Sequence, residues 1–236
     1  MKFKILESEN RIKNIEKMIC YDTETGDRIY PLIEERMELL VDKHLGLGWP
    51  QKGNNISISE EGKVSCNNVL YEDKWYKYFP LQLEYVNDIE IIDCRNLISL
   101  QGSPKFVNGN VYIYGNKNLT SLKGGPEYVM QYYSVDNNNL TSLEYSPKYV
   151  GTFYGFMKNK ITSLKGITPH IGSSVYTSQN TINDISDLKI FDQLMMTSLI
   201  LVDIRTIPPH KHYNQNLSVE NEKFNKNQIN YWYGYY

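Results

Sequence analysis

Positions 116–129 read "NKNLTSLKGGPEYV", and positions 137–150 read "NNNLTSLEYSPKYV". A phrase this particular, said twice in succession, decides the fold, and the rest of the chain falls into line with it. Apolar pairs at Leu97/Leu100, Leu119/Leu122, Leu140/Leu143, Ile161/Leu164, Ile182/Ile185 and Ile204/Ile207 follow one another at steps of 21 or 22 residues. Tyr76/Phe79 fill the same slots one step earlier. A second column runs through Val86, Val107, Val129, Val150 and Ile171. Prolines at 80, 104, 126 and 147 form a third, with Pro169 slipped by one.

Units of 20 to 29 residues in an L-x-L-x-x-N-x-L pattern are the signature of stacked coils. In "VYIYGNKNL" (111–119), Val111 and Ile113 are read as pointing inward, with Asn116 at the turn and Leu119 closing it. The following units offer Tyr133/Val135 with Asn138, Tyr154/Phe156 with Asn159, and Val175/Thr177 with Asn180. The first unit is imperfect, with Ile92, Cys94 and Arg95 in or near these places. A single coil cannot bury its own apolar edge, so the fold needs several in succession. An asparagine at the turn can bond the backbone of the next coil and satisfy peptide groups buried there.

The repeat resembles the short leucine-rich-repeat-like proteins of tailed bacteriophages, whose unit reads roughly N-x-L-T-S-L-x-G-x-P-x-x-V. "NISISEEGKVSCNN" (55–68) resembles their short β-prelude. The resemblance covers about residues 47–185. It implies an intracellular, phage-encoded protein in the host cytoplasm, bound to a host or phage protein. Modulation or inhibition of a host enzyme or defence factor would follow from that. The expected fold class is α/β: a short, right-handed, leucine-rich-repeat-like solenoid of about six coils with a parallel β-sheet face and helical caps at both ends. The expected division is a helical cap over 1–46, the solenoid over 47–209 and an Asn/Tyr-rich tail over 210–236.

Residues 31–45 read as an amphipathic helix with Leu32, Ile33, Met37, Leu40, Val41 and Leu45 on one stripe. Pro31 suits its first turn and Gly46 its stop. A weaker helix is expected over 9–20. Together they read as a cap on the first coil or as a separate docking pair. Residues 184–195 carry helical spacing, and 198–204 return as a strand. The tail ends in "YWYGYY", which either folds back on the solenoid or binds a partner through Tyr231, Trp232 and Tyr233.

Side chains alternate along a strand. With Val111 and Ile113 inward, Asn110, Tyr112 and Tyr114 face outward. The next coils then present Tyr132, Ser134 and Asp136, Phe153, Gly155 and Met157, and Ser174, Tyr176 and Ser178. Tyr112, Tyr132, Phe153 and Tyr176, or their near neighbours, are expected to form an aromatic stripe. Such a stripe is either a contact face, strand propensity, or ground covered by the tail. The candidate protein-binding residues are therefore Tyr112, Tyr114, Tyr132, Phe153, Met157, Tyr176, Tyr231, Trp232 and Tyr233.

The bulk numbers fit this reading. The chain has 236 residues, a net charge of −2, 41% hydrophobic residues and 20 tyrosines. That balance supports a packed core and lacks the basic signature of a nucleic-acid protein. No apolar run is long enough to span a membrane. Cys20, Cys66 and Cys94 read as packing residues in a reducing compartment. His210 and His212 read as a solvated loop, and no phosphate loop, GxSxG, HExxH or CxxC motif appears. No catalytic, cofactor or metal residue is assigned. Two other classes stay open: a sponge for a nucleotide or small aromatic molecule, and a glycan-reading virion or adhesion component.

Overall fold

The computed structural model describes residues 12–41, 56–72, 75–177, 179–182 and 198–200. Its centre is a parallel-sheet β-solenoid of about five turns. A single inward column shows the winding: Cys66 lies beside Val86, Val86 beside Val107, Val107 beside Val129, Val129 beside Val150, and Val150 beside Ile171. All six are buried. The leucine pairs from Leu97 to Leu164 and the inward pairs from Val111 to Thr177 are buried with them, as the repeat predicts.

Winding begins at β3 (Ser57–Ile58) and β4 (Val64–Glu72), which pair antiparallel. β4 then runs parallel to β5 (Leu83–Ile92), a continuous strand of 10 residues. Beyond β5 each coil breaks that strand at a corner, giving two ladders. β6 (Phe106–Val107), β8 (Tyr128–Val129) and β10 (Tyr149–Val150) continue its first half. β7 (Val111–Tyr114), β9 (Tyr133–Ser134), β11 (Tyr154–Gly155), β12 (Ser174–Tyr176) and β13 (Ser198–Ile200) continue its second half. The sequence reading anticipated only the second ladder.

The asparagine turns form a ladder of their own. Asn116, Asn138, Asn159 and Asn180 are all buried. Each donates its amide to a carbonyl of the preceding coil: Asn116 to Ile91 (3.1 Å), Asn138 to Ile113 (2.8 Å), Asn159 to Val135 (2.9 Å) and Asn180 to Phe156 (2.8 Å). Each also accepts a backbone N–H from that coil, donated by Cys94, Asn116, Leu140 and Ile161 in turn. The first unit is displaced from the expected register. Ile89 and Ile91, not Ile92 and Cys94, pair with Val111 and Ile113 and point inward. Cys94 takes the asparagine's place, and its thiol donates to the Tyr71 carbonyl at 3.3 Å. A residue with a weaker donor thus starts the ladder, which hid its register from the sequence.

Burial pushes the Cys20 thiol up to about 11 and that of Cys66 to about 12. Both are held as neutral packing groups.

The serines of the L-T-S-L phrase are explained by the turn. Ser99, Ser121, Ser142 and Ser163 each accept the N–H two residues onward, at 3.0–3.2 Å. Immediately after, the backbone enters the left-handed region at Gly102, Gly124, Tyr145 and Gly166, with φ of 98°, 85°, 67° and 83°. Three coils use glycine there; the fourth forces a tyrosine into a conformation that costs a residue with a Cβ about 1–2 kcal/mol. Tyr145→Gly is therefore expected to raise unfolding stability by about 1 kcal/mol, read as a higher urea midpoint with unchanged slope.

The start of the chain departs from the expected helical cap. Asn14 in the left-handed region precedes a single 3-10 turn, Ile15–Lys17, where a longer helix was expected. The chain then extends as β1 (Cys20–Tyr21), which pairs with β2 (Arg28–Ile29). This extended segment lies against the first coil: Ile19 donates to Gly62, Tyr21 to Pro80, and Gln82 back to Ile19. Met18 and Cys20 are buried there. α1 (Ile33–Val41) starts two residues later than expected, and the Glu35 carboxylate accepts the Leu32 N–H at its head. Leu40 reaches the core, but Leu32 and Ile33 are exposed. The buried Arg36 anchors the helix instead, donating to the carbonyls of Pro31, Ile15 and Met18. The expected helix over 184–195, the remainder of the 198–204 strand beyond β13, and the tail lie outside the described residues. Among the described residues the fold is predominantly β, so the α/β expectation gives way to a β-solenoid.

Candidate functional site

The second ladder carries the face read from sequence. Pleating puts Tyr112 and Tyr114 outward on β7, 39% and 43% exposed, with Tyr132 at 37% on the approach to β9. Phe153, Met157 and Tyr176 are half-buried. Tyr132 and Phe153 stack at 5.0 Å with their planes 7° apart. Phe153 and Tyr176 meet at 5.7 Å, tilted by 45°. Three coils therefore share one run of rings.

The registers refine the stripe. Tyr112 pairs with Ser134, Ser134 with Gly155, and Gly155 with Tyr176. Tyr112 thus sits one column over from Tyr132 and Phe153, and Tyr176 joins the run by leaning across. Two residues expected to face out do not. Ser174 is buried, being small and set between Phe153 and the neighbouring strand β13. Gly155 is buried because the Asp136 carboxylate lies over it, within 3.3 Å of where a Cβ would stand. Ser178, Tyr231, Trp232 and Tyr233 lie outside the described residues.

Asp136 is a carboxylate set into this face beside the ring run. It accepts from the Ser134 hydroxyl (2.6 Å) and the Met157 N–H (2.5 Å). Desolvation is the largest influence and raises its pKa; those two bonds and nearby Lys158 oppose the rise. The native state therefore holds the Asp136 proton more tightly than the unfolded chain does. Stability from this group is greatest below the unfolded value and falls as pH rises through the folded one. Asp136→Asn, which retains an acceptor, is expected to leave stability at pH 7 unchanged or slightly higher. It should also remove a loss of stability above about pH 4, measured by urea titration across pH.

The first ladder carries a second aromatic column that the sequence reading passed over. Tyr85 pairs with Phe106, Phe106 with Tyr128, and Tyr128 with Tyr149. His170 follows, stacked on Tyr149 at 4.5 Å and 13°. Tyr85 and Phe106 stack at 6.0 Å and 13°. Tyr85, Phe106 and Tyr128 are all exposed. The residues just before them alternate in charge: Glu84, Lys105, Glu127, Lys148. Lys63 reaches Glu84 at 3.5 Å, and Glu127 lies 3.4 Å from Lys105 and 2.5 Å from Lys148. Hydrogen bonds from Lys148 and Lys105 hold the Glu127 carboxyl below its ordinary range. The signal was present in "EYV", "KFV", "EYV" and "KYV", ending at 86, 107, 129 and 150.

Among the described residues no group of three metal-ligating side chains occurs, and no helix is long and apolar enough to cross a membrane. Comparison with protein-family models, curated proteins and solved structures finds no match.

Proposed function

We propose that this chain is a non-catalytic binding module that grips a partner protein through the outward face of its second ladder. The observation that carries this reading is the ring run Tyr132–Phe153–Tyr176, with Tyr112 and Tyr114 alongside, on a sheet fixed by the coils beneath. Tyrosines on a prearranged backbone lose little freedom on binding and offer large contact areas with polar tips. The stacking geometry favours a protein over the two other classes. Bases and sugars are held on open ring faces. Here Tyr132 and Phe153 turn faces toward each other, leaving edges and hydroxyls for the partner.

The 21- to 22-residue rhythm and the asparagine turns support kinship with leucine-rich-repeat-like proteins. The resemblance to phage proteins makes the partner a host or phage protein met in the host cytoplasm, and modulation or inhibition of that partner the outcome. The test is affinity capture by the full chain from lysate of the natural host, compared with the Tyr132→Ala/Phe153→Ala variant. Loss of two central aromatic contacts is expected to weaken binding of a stoichiometric partner by at least about 30-fold, with the far-UV spectrum unchanged. Equal capture by both chains would remove this face from the function.

A further inference from the structure

The aromatic column on the first ladder belongs to a different surface, and its flanking charges have a property the second ladder lacks. Read along the solenoid axis, the four charges that precede rings, Glu84, Lys105, Glu127 and Lys148, run minus, plus, minus, plus; Lys63, which pairs with Glu84 from the coil before, stands at the rung of Ser65 and precedes no ring. Read backward, the series is plus, minus, plus, minus. An alternating series with an even number of members is the complement of its own reversal. We propose that this face pairs with the same face of a second copy of the chain, the two solenoids antiparallel about a two-fold axis.

The axis lies along the strand direction, between the rungs of Phe106 and Tyr128. It brings Lys105 opposite Glu127 of the other copy and Glu84 opposite Lys148, with both contacts repeated by symmetry. The same operation sets Phe106 against Tyr128 and Tyr85 against Tyr149. Such self-complementarity is what a two-fold interface requires. The rise of the coils makes it hold at every rung together. Neighbouring strands are about 4.8 Å apart in any sheet, so the two facing columns share one rung spacing. An extended peptide laid along the column presents side chains on one face about every 6.8 Å and falls out of step after a rung or two. A surface repeating at the sheet spacing matches another that does the same, rung for rung.

The charges already pair within each copy, and Glu127 sits between two lysines. In the dimer the two ladders form a checkerboard. Exposed pairs contribute little affinity but penalise wrong registers, because a shift of one rung sets like charges face to face. The rings supply the binding. Roughly 300 Å² of ring surface per copy is modest, so the dimer is expected to be weak and to form toward the upper end of the concentration range tested.

Sedimentation velocity on the full chain from ~1 to ~300 µM tests this. The expected result is a shift from 27.6 kDa toward twice that mass as concentration rises. A mass of 27.6 kDa throughout would overturn the proposal. So would wild-type self-association in a folded Phe106→Lys variant, which is expected to remain monomeric. Charge inversion provides a test without a change in ring packing. A chain carrying Glu84→Lys, Lys105→Glu, Glu127→Lys and Lys148→Glu is again its own complement, but it opposes the wild-type chain at all four contacts. Isotope-labelled wild type mixed with the inverted chain should give the two homodimers and few mixed dimers in native mass spectrometry. Statistical mixing would overturn the pairing. The Tyr132→Ala/Phe153→Ala variant leaves this surface intact and should dimerise as wild type does, so the two faces are tested separately.

Discussion

Asn138→Ala is expected to lower unfolding stability by about 4 kcal/mol, one of the largest losses any single side-chain truncation in this chain should give. The Asn138 amide oxygen accepts from the N–H of Asn116 (2.9 Å) and from its side-chain amide (3.1 Å), while its nitrogen donates to Ile113 (2.8 Å). The Asn116 side chain keeps its bonds to Ile91 and Tyr114. The Asn116 N–H and one acceptor site on Ile113 lose these partners in a buried turn. Each buried group so orphaned costs about 1–3 kcal/mol, and the lost amide leaves a small void. Asn118→Ala, on an exposed side chain in the turn one coil earlier, should change stability by no more than about 0.5 kcal/mol. Urea denaturation of the two variants separates a specific ladder from a general preference for asparagine. Equal, small effects would show that the ladder contributes little.

Gly151→Ala is expected to cost a similar amount, about 3–5 kcal/mol, by a steric route. A Cβ at Gly151 would stand 1.8 Å from the Met130 carbonyl oxygen and 2.6 Å from its carbon, so backbone, not a flexible side chain, would have to yield. One coil on, Gly172 makes the same approach to the Gly151 carbonyl at 1.9 Å. The equivalent position one coil earlier holds Met130, so the corner tightens from Gly151 onward. Displacing it disturbs the Gly151 N–H bond to Val129 and the stacking of both ladders at once. The measurement is again a denaturation midpoint, with near-UV dichroism reporting the aromatic columns. A midpoint within error of wild type would mean the corner relaxes freely.

The features legible in sequence are those that recur. The leucine, valine and asparagine columns repeat in several coils, and each repetition restates one geometric demand. Inward-facing Tyr133 and Tyr154 could be placed despite their polar tips, because their neighbours in the column are Val111 and Val175. What recurs without being apolar was harder to see. The Tyr85, Phe106, Tyr128 and Tyr149 column adjoins the valines, but inferring its outward position requires a second strand in each coil, and two residues rarely announce a strand. Single deviations were least legible. Cys94 in an asparagine's place, Tyr145 in a glycine's and Asp136 over Gly155 each depend on one tertiary contact, which a periodic pattern does not encode. The N-terminal segment failed for another reason: its helical spacing is real, but Asn14 turns the chain and the first coil recruits 18–21 as an extended cover.

The asparagine ladder has a direction, and that has a consequence for how the protein comes into being. The acceptor for each coil's turn N–H, and the donor for its strand carbonyl, are supplied by an asparagine about 20 residues downstream. On a ribosome those residues emerge last. At 5–20 residues per second, a newly made coil waits roughly one to four seconds for its partner. The nascent solenoid therefore always carries one unfinished face, which advances with translation and closes only when the final coil arrives.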